Sequence, residues 1–182
     1  MAILNFLTNS HDIEVLFFDH GTQTSLEASW LVSNACSWKE YKIHKGKVTR
    51  EKLATESWEE YWRNERYKFF YQFAEADRPV ITCHHLDDCI EQWLFSSMHG
   101  KPGIIPYLHG DNIIRPFRLT TKAELVNWAR RHKVEWHDDY SNEDTKYMRN
   151  FIRKELVPKA LVVNPGLAKV IRKKVEADYA AA

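Results

Sequence analysis

The sequence predicts an α/β fold with a parallel sheet, on three observations. Residues 13–18 (IEVLFF) and 80–83 (VITC) are short, nearly continuous apolar runs, the pattern of strands covered on both faces. Each runs directly into polar residues, Asp19-His20-Gly21 after the first and His84-His85-Leu86-Asp87-Asp88 after the second. Longer segments with helical character separate them, which favours right-handed crossovers between parallel strands. In such sheets ligands bind beyond the carboxyl ends of the strands, so both polar clusters fall where a site belongs.

Taken in order, Ile3, Leu4, Phe6 and Leu7 read as the end of an opening helix. After the first strand, residues 24–36 predict a helix with Leu26, Trp30 and Leu31 on one side, and residues 40–44 (EYKIH) alternate like a strand. Residues 57–76 predict a long helix rich in aromatics and arginine, after which Arg78-Pro79 introduces the second buried strand. The next helix begins at the aspartates, runs through Met98 and stops at Gly100. Residues 103–115 read as irregular. Residues 121–132 form an amphipathic helix with Thr120 or Thr121 as its cap. A loop at 138–144, a helix from about 146 to 156, Pro158 and a basic helix from about Gly166 complete the chain. Residues 1–160 therefore read as the main domain and 161–182 as a basic C-terminal helix.

The composition supports a globular domain: 182 residues, 44% hydrophobic, 28% charged and a net charge of +1. No apolar run approaches a membrane span, and the first residues lack the basic start of a signal peptide. Cys36, Cys83 and Cys89 form no CxxC pair and leave an odd count, which predicts a reducing, cytoplasmic setting. Charge is uneven. Between 149 and 174 lie Arg149, Arg153, Lys154, Lys159, Lys169, Arg172, Lys173 and Lys174 against the single acid Glu155. That reads as a nucleic-acid footprint or as a solvated helix face. The seven tryptophans serve core packing or base stacking.

Three clusters can carry chemistry. In CHHLDDCIEQW, Asp87 and Asp88 open a helix and Glu91 shares a face with both, an arrangement that can hold Mg²⁺ or simply complement the helix dipole. Zinc is disfavoured, because adjacent residues among Cys83, His84, His85 and Cys89 point to opposite sides of a strand. In WRNERY, Arg63 and Arg66 share a helical face suited to phosphates or to surface pairing with Glu59. In the third, an acidic loop at 138–144 leads into a helix bearing Arg149 and Arg153, a pattern that suits a loop ordered by a polyanion.

Together, HHLDD with Glu91, ERYKFF, IIRPFR and DDYSNEDTKYMRNFIRKELVP resemble the signature order of the tRNA(Ile)-lysidine synthetases, N-type ATP pyrophosphatases of the PP-loop superfamily. The resemblance spans roughly residues 3–165. It implies a parallel-sheet PP-loop ATPase fold of the adenine nucleotide alpha hydrolase type with a small helical C-terminal extension. It implies an activity in which ATP adenylates the C2 oxygen of the wobble cytidine of a CAU-anticodon tRNA(Ile), after which the ε-amine of L-lysine displaces AMP. ATP, Mg²⁺, tRNA(Ile) and lysine are the implied ligands.

Carried over residue by residue, the resemblance puts His85 and Asp88 at the ATP site with Asp87 beside lysine or the metal, and gives Asp88 and Glu91 to Mg²⁺. Arg66 and Arg63 face phosphates or substrate, His84 belongs to the nucleotide site, and the backbone at Asp19 and His20 meets the adenosine. Arg115, Asn142, Arg149, Asn150 and Arg153 form the substrate-side loop. Two departures accompany it. The family's SGGxDS phosphate loop is expected immediately before Met1, which predicts a fold short of its first strand, with the loop supplied by a misassigned start, a homo-oligomer or a separate chain. Cys89 and Gln92 also replace the usual Gln and Thr. A non-catalytic tRNA-binding relative and a PP-loop tRNA thiolase are the alternatives. The absence of CxxC and the presence of the RN-x-IR run weigh against the thiolase.

Overall fold

The computed structural model describes residues 1–136 and 143–181. Its strands form parallel pairs, as the apolar runs predict. β1 (Val15–Asp19) pairs in parallel with β2 (Ile43–Lys47), and β3 (Val80–Ile81) pairs in parallel with β5 (Ile113–Ile114). β4 (Leu108–His109) closes the second group, antiparallel to β5. Residues 103–115, expected as irregular, therefore hold two short strands. Each is two residues long, too short for a period-2 pattern to register. Among the described residues the two groups share no backbone ladder. They meet through side chains, with Leu16 of β1 packed on a cluster of Tyr67, Val80 and Ile113.

The helices are α1 (Ala2–Leu7), α2 (Gln23–Trp38), α3 (Trp58–Phe70), α4 (Leu86–Met98), α5 (Lys122–Arg131), α6 (Met148–Phe151), α7 (Val157–Val163) and α8 (Leu167–Ala180). Ser57 starts α3 by accepting the Glu60 N–H, and Thr121 with Glu124 makes a reciprocal capping box on α5. α3 stops at Phe70, shorter than the aromatic run suggests. The hydrogen bonds after it tighten to turns that lead into Pro79. β2 sits three residues later than predicted, because Glu40 takes a positive φ of 56° in leaving α2. Within β2, Gly46 lies so close to Phe69 that a Cβ would meet the ring at 2.6 Å, which fixes how α3 crosses the strand pair.

Two further features go beyond the sequence reading. Leu26 and Trp30 of α2 face outward, each 68% exposed, as does Trp38. The helix expected at 146–156 continues to Val163 with a π-helical turn at Ile152–Leu156. Pro158 follows directly and has no N–H to sustain a regular α ladder there.

The larger core joins α4 to α8: Leu86, Cys89 and Ile90 pack on Leu167, Ile171 and Val175. The C-terminal helix is thus part of the wall that holds the HHLDD helix in place. Its other anchor is electrostatic. Arg118, fully buried, donates to Asp178 at 2.7 Å and to the Ile105 carbonyl, under the Tyr179 ring. Cys36, Cys83 and Cys89 are free thiols. Among the described residues no helix is long and apolar enough to cross a membrane.

Candidate functional site

β1 delivers Asp19 and His20 to the carboxyl edge of its strand pair. Gly21, at φ 74°, turns the chain away while the Asp19 carboxylate accepts its N–H at 2.8 Å. The His20 ring packs against Phe18 and lies 5.9 Å from Trp62, with Nδ1 buried and without a hydrogen-bond partner. Burial, and then the nearby Arg66 charge, push this imidazole down to about 4, so it is neutral at pH 7.

β3 delivers the second polar cluster. His84 Nδ1 and Thr82 Oγ1 share a hydrogen bond of 3.0 Å. Burial pushes His84 down to about 3, and Arg115, Arg66, Arg63 and Arg149 push in the same direction. Four guanidinium groups therefore act on one imidazole, a local positive field suited to an anion. His85 caps α4 in an extended conformation, and its N–H donates to Asp88 Oδ2 at 2.9 Å. His85 Nδ1 is buried and unbonded, although Asp87 and Asp88 carboxylate oxygens lie 3.5 and 3.4 Å away. Asp87 remains half exposed and accepts the Lys122 N–H at 2.8 Å, tying the start of α4 to that of α5.

Glu91 has a different role from the metal ligand predicted for it. It is 2% exposed, and both its oxygens are taken. Arg149 Nη1 donates to Oε1 at 2.9 Å, while Arg153 Nε and Nη2 reach Oε2 at 3.0 and 2.8 Å. The i, i+4 arginines close on one carboxylate and lock α6 and the π-turn onto α4. Arg149 also donates to Gln92, and its guanidinium lies over Phe95. The predicted Asp88–Glu91 pair does not present a Mg²⁺ site. Both Glu91 oxygens accept from arginine N–H groups and Asp88 Oδ1 lies 3.6 Å from Arg153, so both carboxylates already face cations. Among the described residues no three His, Cys, Asp or Glu side chains converge as a metal-binding group.

Arg63 and Arg66 of α3 make no ion pair with any described residue. Both rest over the Tyr67 ring, at 4.8 and 5.8 Å. Burial lowers the Arg66 pKa, and the like charges of Arg63 and Arg149 add to the effect. Among the described residues of this cluster, these two cations are open to a ligand. Arg115 is not among them, since it is 1% exposed and spends its guanidinium on the Pro106 carbonyl and the Tyr67 hydroxyl. It acts from beneath, fixing the ring on which Arg63 and Arg66 lie. Asn150 is also buried and donates to the Asp144 carbonyl, bracing the chain that leads into α6. Asn142 lies outside the described residues.

The structure thus brings His20, His84, His85, Asp87, Asp88, Arg63, Arg66, Arg149 and Arg153 to one side of the molecule. It assigns Glu91, Arg115 and Asn150 to holding them there. Trp62, Tyr67, Gln92, Arg118 and Tyr147 belong to the same assembly. Sequence reading gave Trp62 only the general choice of core packing or base stacking and the others no role, because an aromatic ring or a buried arginine carries no local mark of what it touches.

The PP-loop domain family matches residues 1–160. The chain belongs to that family. Among curated PP-loop relatives, the tRNA(Ile)-lysidine synthase of Legionella pneumophila (strain Paris) is 37% identical over 117 residues, 60% of this chain and 27% of that protein. The synthase of Escherichia coli O157:H7 is 30% identical over 158 residues, 80% of this chain and 36% of that protein. The chain thus spans about a third or less of the length of these relatives. A solved U34-tRNA thiolase of Methanococcus maripaludis, with its [4Fe-4S] cluster, superposes with a TM-score of 0.73 at 12% identity, covering 97% of this chain and 66% of that one. That likeness is one of PP-loop fold.

Proposed function

We propose that this PP-loop domain modifies tRNA, using ATP to activate a wobble cytidine of tRNA(Ile) at C2 and joining L-lysine there, in the cytoplasm. One observation carries the reading. Glu91 of the HHLDD helix is clamped by Arg149 and Arg153 of the RN-x-IR segment, so the superfamily's HHLDD motif and the run more specific to the lysidine branch form one wall beside Arg63 and Arg66, which make no ion pair among the described residues.

The roles follow from chemistry. Attack of the cytidine C2 oxygen on the α-phosphorus expels pyrophosphate, and Arg63 and Arg66 stabilise the phosphate charge. His84 and His20, held neutral, accept hydrogen bonds and add no competing positive charge. The lysine ε-ammonium loses a proton before it attacks C2 and releases AMP. Asp87, the most open carboxylate of the cluster, is the group suited to hold that ammonium and take the proton. Asp88 fixes the His85 backbone at the start of α4. Mg²⁺, when bound, neutralises phosphate charge. Glu91, committed to arginine, leaves Asp87 as the open carboxylate near that charge.

The test is pyrophosphate release from ATP with a CAU-anticodon tRNA(Ile) transcript and lysine, for this chain and for one extended by any upstream coding sequence. Lysine-dependent release that is lost in Asp87→Asn supports the reading. Transcript binding with no turnover in either form would leave a tRNA-binding relative as the better account.

A further inference from the structure

We propose that Trp62 and Tyr147 form a slot that stacks an unpaired nucleobase of the RNA substrate beside the Arg63–Arg66 pair. The proposal rests on the tRNA reading above and adds to it a binding site for a specific part of that RNA.

Trp62 lies on α3, four residues before Arg66, so indole and guanidinium share a helix face. Tyr147 caps α6 from the other side of the site. Their ring centroids are 6.5 Å apart and inclined by 45°, neither offset-stacked nor edge-on. Aromatic surfaces touch at about 3.5 Å, so one planar ring inserted between two others needs a separation of about 7 Å. The observed separation is about half an ångström short of that, so turning the rings parallel and parting them by that amount opens the slot. Trp58, 52% exposed, backs Trp62 at 5.3 Å and 34°, while His20 lies 5.9 Å from it on β1. A continuous aromatic strip therefore runs into the cation cluster.

The polar handles of the slot are also open. Among the described residues neither the Trp62 Nε1–H nor the Tyr147 hydroxyl has a hydrogen-bond partner. They offer one donor and one donor–acceptor to the edge of a base. With Arg66 one turn further along the same helix face, a nucleotide seated here has its ring between two aromatics and its phosphate toward a guanidinium. Stacking tolerates any base, so the slot supplies affinity and extrusion from the loop, while identity is read at the base edge.

The test uses an anticodon stem–loop RNA with 2-aminopurine in its loop, read by fluorescence, with ATP binding measured separately on the same proteins. Wild type quenches the probe on binding. Trp62→Ala and Tyr147→Ala abolish the quench and weaken binding about tenfold with an unchanged salt dependence, whereas Trp62→Phe retains both. ATP affinity stays within twofold, and thermal melts establish that the variants are folded. Equal quenching by wild type and both alanine variants overturns the slot but leaves RNA binding intact. Loss of ATP affinity without loss of RNA affinity overturns it in favour of the adenine ring. Failure of the wild type to bind the stem–loop sinks the slot together with the tRNA reading.

Discussion

Arg153 reaches Glu91 with two nitrogens, Nε at 3.0 Å and Nη2 at 2.8 Å, across 62 residues of chain. A carboxylate that reads in sequence as a metal ligand is therefore the bolt between two helical segments.

Removing the bolt should loosen the wall rather than alter metal use. Glu91→Ala removes the buried carboxylate that Arg149 and Arg153 share. Both arginines are over a third exposed, so the cost is discounted from that of a fully buried pair to about 2 kcal/mol. A fall in Tm of about 4–8 °C is expected, with the Mg²⁺ concentration for half-maximal turnover unchanged. A large shift in that concentration with an unmoved Tm would restore Glu91 as a ligand.

Arg66 should matter for anions and little for folding, because it has no carboxylate to lose. Arg66→Ala is expected to weaken pyrophosphate binding about tenfold to a hundredfold, the worth of one charged hydrogen-bonding partner. Calorimetric titration measures this, and Tm should move by less than about 2 °C. Unchanged affinity would remove Arg66 from the site.

The depressed histidines predict acid sensitivity. His20 and His84 sit at about 4 and about 3 in the fold against an ordinary 6.5, so the folded protein favours their neutral forms. That stability is fully present above pH 6.5. It is lost as pH falls through 6.5 towards 4 and 3, because the unfolded chain takes up protons that the folded one refuses. Urea titrations at pH 7 and pH 5 should show the loss, and His84→Gln should shrink it. An identical slope in His84→Gln would locate the acid sensitivity elsewhere.

Arg118 has no exposure, and Asp178 is its only carboxylate partner among the described residues. Asp178→Asn strands that charge at a cost of about 3 kcal/mol, a Tm loss of about 6–12 °C. Asp178→Asn combined with Arg118→Met should recover part of it. No recovery would mean that the guanidinium's bonds to the Ile105 and Arg115 carbonyls outweigh its pairing with Asp178.

The parallel strand pairs and the placing of HHLDD at a strand's carboxyl edge were legible because both rest on local patterns, apolar runs ended by polar residues. What Glu91 and Arg115 do was not legible. An acid one turn beyond two aspartates looks the same in sequence whether it faces a cation in solution or an arginine 58 residues later. Arg115 likewise appears in its motif as a substrate arginine, and only its burial against Tyr67 and Pro106 reveals it as a support. That Leu26 and Trp30 share a side of α2 was legible from their spacing, whereas which way that side faces is set by packing, which leaves them exposed.

The Tyr179 hydroxyl donates to the Arg115 and Pro116 carbonyls, the Arg115 guanidinium holds the Tyr67 hydroxyl, and Arg63 and Arg66 lie on the Tyr67 ring. The seat of the anion-facing arginines is thus completed by residues translated more than a hundred positions after them. On the ribosome, the nascent chain carries Arg63 and Arg66 early but cannot fix them until α8 has emerged and folded back onto α4. Their placement is therefore completed by a contact of high sequence separation, made only once α8 has packed.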